Sequence, residues 1–416
     1  MYIIYQIIIF IIIILSPFII SYRIFRNKED SKRILEKFSI SSKKRKKGKL
    51  IWFHGASVGE ILSIIPLIKN YEKKKEISQI LITSTTLSSS KVLKKYNFKK
   101  TIHQFYPIDF FFMTKKFLKF WNPSIAIFVD SEIWPSMFRT INNNKIPLIL
   151  LNARITKKTF KRWMRIKNFS ESVFDMITVA YPQNLETKFY LKKLNTKKIQ
   201  QIGNLKFAEN YENKLESISN RLKMEFNKKK IWISSSTHNE EEVFCARAHL
   251  ELKKKIKNLL TIIIPRHVHR VEEIVIKLKR LGLKAVLHSA KSRNLKNVDI
   301  YIVDTFGETK KFHKLGSTVF LGGSIINRGG QNPLEAARLG AKILHGSNVD
   351  NFKDVYKLLK SLNISKKISS PKELSSSIIF RSNKNNGVKI KNIGEKILKN
   401  TIKELQYFIS NEFKKT

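Results

Sequence analysis

From Lys49 onward the chain alternates short, uninterrupted apolar runs with longer amphipathic stretches. KLIWFHG, QILITS, PSIAIFVDSE and IPLILLNAR read as strands, while SVGEILSIIPLIKNY and TLSSSKVLKKY read as helices between them. Strands that are apolar on both faces and alternate with helices predict a parallel sheet covered on both sides. The pattern turns polar around residues 204–230 (NYENKLESISNRLKMEFNKKK), which is expected to lie between domains. A second series then begins, with KIWISSSTH, NLLTIIIPRH, KAVLHS, VDIYIVDT and STVFLGGS as strands. The expected class is therefore α/β, with two doubly wound domains facing a central cleft. Such folds bind ligands outside the carboxyl ends of their strands. The boundaries read as 49–208, an interdomain region 209–229, and 230–416 including the C-terminal helices. Ser361–Lys391, rich in Lys, Ser and Asn, reads as solvated helix and loop.

The N-terminus has a different pattern. Tyr2–Tyr22 (YIIYQIIIFIIIILSPFIISY) is apolar apart from Gln6 as its one strongly polar side chain. At ~1.5 Å per residue it matches the ~30 Å hydrocarbon core of a bilayer. A cleavable leader would carry cations before the run and small residues after it. Here the cations Arg23, Arg26 and Lys28 follow instead, so residues 2–22 read as an uncleaved transmembrane anchor. The positive-inside bias places the rest in the cytoplasm. Residues 23–48 read as a basic juxtamembrane segment whose KKRKKGK run (Lys43–Lys49) suits an anionic leaflet.

Composition adds a partner class. Lys and Arg total 80 against 32 Asp and Glu, a formal net charge of +48 over 416 residues. Such a field favours anionic partners, namely nucleic acid, a membrane surface or a phosphorylated ligand. Most of it is lysine in an Ile- and Asn-rich chain, so part of it reflects composition bias. Hydrophobic residues at 42% exclude wholesale disorder. With Cys245 the single cysteine, no disulfide framework or cysteine zinc site exists, and Cys245 reads as a small buried hydrophobe.

The candidate chemistry lies at strand ends. His54-Gly55-Ala56-Ser57-Val58-Gly59-Glu60 closes a strand and opens a helix. A carboxylate in a first turn should stay ionised and could serve as a general base, although a plain helix-starting Glu fits the fragment as well. Asp130-Ser131-Glu132-Ile133-Trp134-Pro135 could orient a substrate or cap the next helix. Asn152-Ala153-Arg154 and Gly203-Asn204-Leu205-Lys206-Phe207 set cations where a phosphate or carboxylate could be met.

In the second half, Pro265-Arg266-His267, Phe306-Gly307-Glu308 and Gly322-Gly323-Ser324 end strands, and Gly329-Gly330-Gln331-Asn332-Pro333-Leu334-Glu335 opens a helix. Asn332 as N-cap, Pro333 as N1 and Glu335 as N3 make a capping box. The preceding glycines read as backbone N–H groups open to a phosphate, and the Glu could take a ribose diol. Neither GxGxxG after the first strand nor GxxxxGK[ST] is present, so hydride transfer and a P-loop are not indicated. His238, His267 and His269 lack metal-ligand spacing, and hydrogen bonding at strand ends suits them better.

In order along the chain, HGASVGE, YPIDF, DSEIWP, IPLILLNARIT, GNLKF, STHNEEE, IIPRHVHR, DTFGE and FLGGSIINRGGQNPLEAA, with NF at 351–352, closely resemble one family. It is the 3-deoxy-D-manno-octulosonic acid (Kdo) transferases of lipopolysaccharide synthesis, over about Trp52 to Phe352. The resemblance implies a GT-B fold of two Rossmann-like domains. It also implies transfer of Kdo from CMP-Kdo to a lipid A precursor, with inversion and without metal or other cofactor, at the cytoplasmic face of the inner membrane. By position it makes Glu60 the general base and gives Asp130 and Lys206 supporting roles in the transition state. CMP contacts fall to Pro265, Arg266, Phe306, Gly307, Glu308, Asn332, Pro333, Leu334 and Glu335. Asp130 stands where the family usually has Glu, Thr309 where it has Leu and Gln331 where it has His.

Two other readings compete. Another GT-B sugar-nucleotide enzyme at the membrane would differ in its donor. A membrane-tethered nucleic-acid-binding protein would need a recognisable module or basic residues interleaved with aromatics on one face, and neither is seen.

Overall fold

The computed structural model describes residues 1–208, 218–290, 295–381 and 383–414. The chain divides into two units, Met1–Asn210 together with Gly394–Thr416, and Tyr211–Ile393. In the first, β1 (Leu50–His54), β2 (Gln79–Ser84), β3 (Thr101–Phe105), β4 (Ile125–Val129), β5 (Leu148–Ala153) and β6 (Val179–Pro182) form one sheet. Its order is β3-β2-β1-β4-β5-β6, and every pairing is parallel.

The apolar runs explain this layering. Successive side chains of a strand point to opposite faces, so Leu50 and Trp52 join Leu118, Trp121 and Phe138 on one side. Ile51 and Phe53 join Ile64, Leu67 and Ile68 of helix α2 (Val58–Tyr71) on the other.

The second unit repeats the plan with β7 (Lys230–Thr237), β8 (Leu259–Pro265), β9 (Ala285–Leu287), β10 (Ile300–Ile302), β11 (Thr318–Leu321), β12 (Lys342–His345) and β13 (Ser365–Lys367). The order is β13-β12-β11-β7-β8-β10-β9, again all parallel. Cys245 is buried with Sγ 3.0 Å from the Ser234 hydroxyl. Strand order reverses between β1 and β4 in the first sheet and between β7 and β11 in the second. Open α/β sheets bind ligands at such points. Both units therefore have the Rossmann-like form of a GT-B enzyme.

Three readings of the chain's organisation differ from expectation. The C-terminal helices were placed with residues 230–416, yet Gly394–Thr416 belongs to the first unit. Leu405 and Ile409 complete its core, and a Cβ at Gly394 would lie 2.1 Å from the Phe207 carbonyl oxygen. Of the interdomain region, residues 209–217 lie outside the described residues. The remainder contains the helix Asn220–Asn227, which buries Leu222 and Phe226 in the second unit, with Phe226 5.1 Å from Tyr301. Ser361–Lys391 is not simply solvated, because β13 adds an edge strand and Ile364, Ile368 and Leu374 are buried.

The basic segment 23–48 also folds. Its 3₁₀ helix Ser31–Phe38 buries Glu36, which accepts hydrogen bonds from Arg33 and from the Phe105 amide at 2.7 Å. Helix α1 (Tyr2–Phe25) precedes it and is long and apolar enough to cross a membrane, with mean hydropathy 2.9 over its most apolar stretch.

Candidate functional site

At the β1/β4 reversal the first unit gathers three carboxylates. Ser57 caps α2, and the Glu60 side chain folds back over the turn. Oε2 of Glu60 accepts from the Ala56 amide at 2.6 Å, and Oε1 accepts from the Ser57 hydroxyl at 2.9 Å. A Cβ at Gly55 would stand 3.1 Å from Glu60 Cβ, so the turn has little room for a larger residue there. Beside Gly59 the space is open, with nothing within 4 Å of a Cβ. The expectation that Glu60 stays firmly ionised is corrected. Burial, then the charges of Glu132 and Asp130, raise its carboxyl to about 7, outweighing the hydrogen bonds from Ser57 and Ala56. A group half-ionised near neutrality is suited to taking and returning a proton.

Glu132 is held from two sides. Its Oε2 accepts from Trp134 Nε1 at 2.9 Å and lies 3.1 Å from Nε2 of the fully buried His54. His54 in turn has Nδ1 2.9 Å from the Thr83 hydroxyl and stacks on Tyr106 with centroids 3.9 Å apart. Asp130 is buried in the left-handed region (φ +63°), and its Oδ2 lies 3.1 Å from Lys206 Nζ.

Asn152, also left-handed (φ +52°), accepts from the Leu205 amide at 3.0 Å and so fixes the turn that carries Lys206. Arg154 follows on the same strand end, with its amide donating to the Asp130 carbonyl at 3.0 Å. Glu60, Asp130 and Lys206 thus come together. His54, Ser57 and Asn152 were not singled out for roles, because their partners come from neighbouring strands and turns that spacing does not reveal.

At the β7/β11 reversal of the second unit, the glycine-rich loops are filled from within. Glu241 is fully buried, and its carboxylate accepts from the amides of Gly323 (2.6 Å), Ser324, Ile325 and His238 (each 3.0 Å). Gly322 has no room for a side chain, since a Cβ would lie 2.4 Å from the Ser236 carbonyl oxygen. Gly330 donates its amide to the Gly323 carbonyl at 2.9 Å. The expected open N–H groups are in these cases already taken by protein acceptors. The expected capping box is not formed: the helix Leu334–Arg338 starts one residue later, with Pro333 in the N-cap position and no side-chain cap, and Asn332 instead accepts from the Leu334 amide at 3.1 Å in the turn before it. Pro333 and Leu334 are buried, so a ligand could meet the Leu334 side chain only after rearrangement.

The other donor-side residues sit nearby in this unit's loops. Pro265 ends β8, Arg266 is exposed with its amide bonded to the Thr237 carbonyl at 2.9 Å, and Phe306 is 80% exposed. Gly307 takes φ +85°. Glu308 pairs with Lys311 at 2.8 Å and lies 3.1 Å from His288. Burial works against its ionisation, yet Lys311, Thr305 and His288 hold the carboxyl below its ordinary range. A cavity of about 140 Å³ beside Glu308 is lined by Leu222, His288, Lys311 and Phe312. It is below the ~300 Å³ at which ligand pockets begin.

Comparison with known proteins agrees with this geometry. A family profile described as 3-Deoxy-D-manno-octulosonic-acid transferase (kdotransferase) matches residues 32–209. The 3-deoxy-D-manno-octulosonic acid transferase of Rickettsia prowazekii is 34% identical over 371 residues, covering 88% of this chain and 77% of that protein. The enzyme of the same name from Rickettsia bellii is 33% identical over 387 residues, covering 92% and 91%. Among solved structures, the UDP-GlcNAc 2-epimerase of Neisseria meningitidis bound to UDP-GlcNAc aligns over 85% of this chain and 100% of its own. Its TM-score is 0.52 at 13% identity, a likeness of fold alone. With two parallel Rossmann-like sheets and relatives of this identity over most of its length, the chain belongs to the 3-deoxy-D-manno-octulosonic acid transferase family, the glycosyltransferases that transfer Kdo in lipopolysaccharide biosynthesis.

Proposed function

We propose that the protein transfers Kdo from CMP-Kdo to a sugar hydroxyl of a lipid A precursor such as lipid IVA, with inversion and without a metal ion. The observation that carries this reading is the Glu60 carboxyl, which lies with Asp130 and Glu132 at a strand-order reversal and is raised to about 7 by burial and by their charges.

In the reaction, the acceptor hydroxyl oxygen forms a bond to the anomeric carbon of Kdo as the bond from that carbon to the CMP phosphate oxygen breaks. Glu60 takes the hydroxyl proton, and CMP leaves with the electron pair. Attack from the face opposite CMP inverts the centre. Asp130 orients the Lys206 ammonium, which supports the negative charge that develops. The loops carrying Pro265 and Arg266, Phe306 to Glu308, and Asn332 to Glu335 hold the nucleotide, with Arg266 nearest in character to a phosphate partner. Cationic side chains thus supply the charge that a metal supplies elsewhere.

Helix α1 keeps the enzyme at the cytoplasmic face of the inner membrane, where the anionic acceptor and leaflet meet a basic protein. Incubating membranes that contain the protein with CMP-Kdo and tetraacylated lipid A precursor should give a product heavier by one or more Kdo residues. An unchanged acceptor mass with this donor, alongside transfer from another sugar nucleotide, would reject the reading.

A further inference from the structure

The first turns of helix α1 are bonded to its own folded unit, and a stripe of partly covered positions continues along it. The positions it covers recur every three or four residues, among them Tyr2, Gln6, Ile9, Ile13, Ser16 and Ile20. That is one face of an α-helix. Near the start, Tyr5 donates to Asp109 Oδ2 at 2.7 Å and Gln6 donates to the Ser136 hydroxyl at 2.6 Å. The Phe111 amide donates back to Gln6 at 3.1 Å, and the Arg139 guanidinium lies 4.3 Å from the centre of the Tyr2 ring. Phe10 sits 5.9 Å from Phe110. At the other end Arg23 pairs with buried Glu29 at 2.7 Å.

Asp109 is itself built into the domain, accepting from the Ser136 and Met137 amides at 2.9 and 2.8 Å. Tyr5 and Arg23 are separated by roughly 27 Å of helix at ~1.5 Å per residue. The chain enters the folded unit just after Arg23, so a helix crossing the bilayer would carry Tyr5 to the far side, yet Tyr5 is bonded to Asp109 within that unit. The opposite face of α1, including Ile3, Ile7, Ile11, Ile14, Leu15 and Phe18, is exposed. Phe112 beside it is 69% exposed, and Lys115 stands over the Phe111 ring.

The geometry points to a helix that lies in the plane of the membrane, with its isoleucine face in the acyl region of one leaflet and its covered face on the protein. Arg139 and Lys115 then meet anionic headgroups at the edge of that face. In-plane helices sink ~5–10 Å into the headgroup boundary, which suits a helix apolar on both faces when protein covers one and lipid the other. This replaces the single-pass arrangement expected from length and hydropathy, and it is independent of which sugar the enzyme transfers.

The test uses the full chain in membranes. An epitope before Met1 should be digested by protease in inverted vesicles and protected in spheroplasts. In a Phe10→Cys/Phe110→Cys double variant, mild oxidation should join the two positions within one chain. Digestion of the epitope in spheroplasts, or failure of the cysteines to join while the domain stays folded, would overturn the in-plane arrangement. Recovery of the chain as a water-soluble dimer would show that a second copy, rather than lipid, covers the isoleucine face, and would overturn it as well. Retention in the membrane fraction after alkaline carbonate separates loss of attachment from a wrong orientation.

Discussion

The Lys206 ammonium lies 3.1 Å from Asp130 Oδ2, although 76 residues separate the two in sequence. Two strand ends and one short turn make the meeting possible. Asp130 leaves β4 at φ +63°, Asn152 leaves β5 at φ +52°, and Asn152 holds the amide of Leu205. Left-handed non-glycine residues cost about 1–3 kcal/mol each and persist where surrounding structure imposes them. At Asp130 and Asn152 that imposed backbone sets the ends of two adjacent strands, β4 and β5, beside the turn that carries Lys206.

Lys206→Ala should therefore harm both stability and rate. Asp130 is left buried without its cation, a loss of about 3–5 kcal/mol for a pair removed from one side. Adding Asp130→Asn to that variant should restore much of the melting temperature but not the turnover. Calorimetry beside single-turnover kinetics checks this. Equal melting temperatures for the single and double variants would show that the pair is not coupled.

The Glu241 carboxylate is expected to be structural. Glu241→Gln puts an NH₂ group among amides that all donate, which should cost about 1–3 kcal/mol. Thermal melts should show the drop. An unchanged melting temperature with weakened CMP binding would instead assign Glu241 to the ligand.

Donor binding should depend on Arg266 and Glu335. Replacing either by Ala should weaken CMP by ~10- to 150-fold, the equivalent of about 1.5–3 kcal/mol for a charged hydrogen bond. Calorimetric titration with CMP reads this directly, and an unchanged dissociation constant in both variants would contradict the placement.

Much of this was legible in the sequence because long apolar runs leave one solution, a buried parallel strand. The strands that escaped are β3 (TIHQF), β6 (Val179–Pro182), β12 (Lys342–His345) and β13 (Ser365–Lys367), of which all but β12 lie at sheet edges. All four are short, and β3, β12 and β13 carry His, Gln or Lys among their apolar residues, so none reads as a long apolar run. The site residues lay at strand ends and could be named. Their protonation could not, because it depends on Asp130 and Glu132 arriving from β4 beside a turn after β1. Nor could the sequence say which of three successive glutamates, two of them buried, takes the amides of the glycine loop. That follows from Glu240 adopting φ +71°, which sends Glu241 toward the glycine loop.

Proton affinity at Glu60 should respond to its neighbour. Because the charge of Glu132 helps raise the Glu60 carboxyl to about 7, Glu132→Gln should lower it. The base form is the active one, so kcat/KM rises with pH through that value and levels above it. In the variant the rise should move to lower pH, and a pH–rate profile that does not move would remove Glu132 from the account.

The most direct measurement is the turnover of Glu60→Gln on CMP-Kdo and lipid acceptor, beside its melting temperature and its affinity for CMP. Gln keeps the size and the capping contacts but cannot take a proton. If Glu60 is the base, folding and CMP binding stay close to wild type while turnover falls by ~10²–10⁴-fold. Turnover above roughly a tenth of wild type, less than general-base catalysis usually contributes, would contradict the assignment.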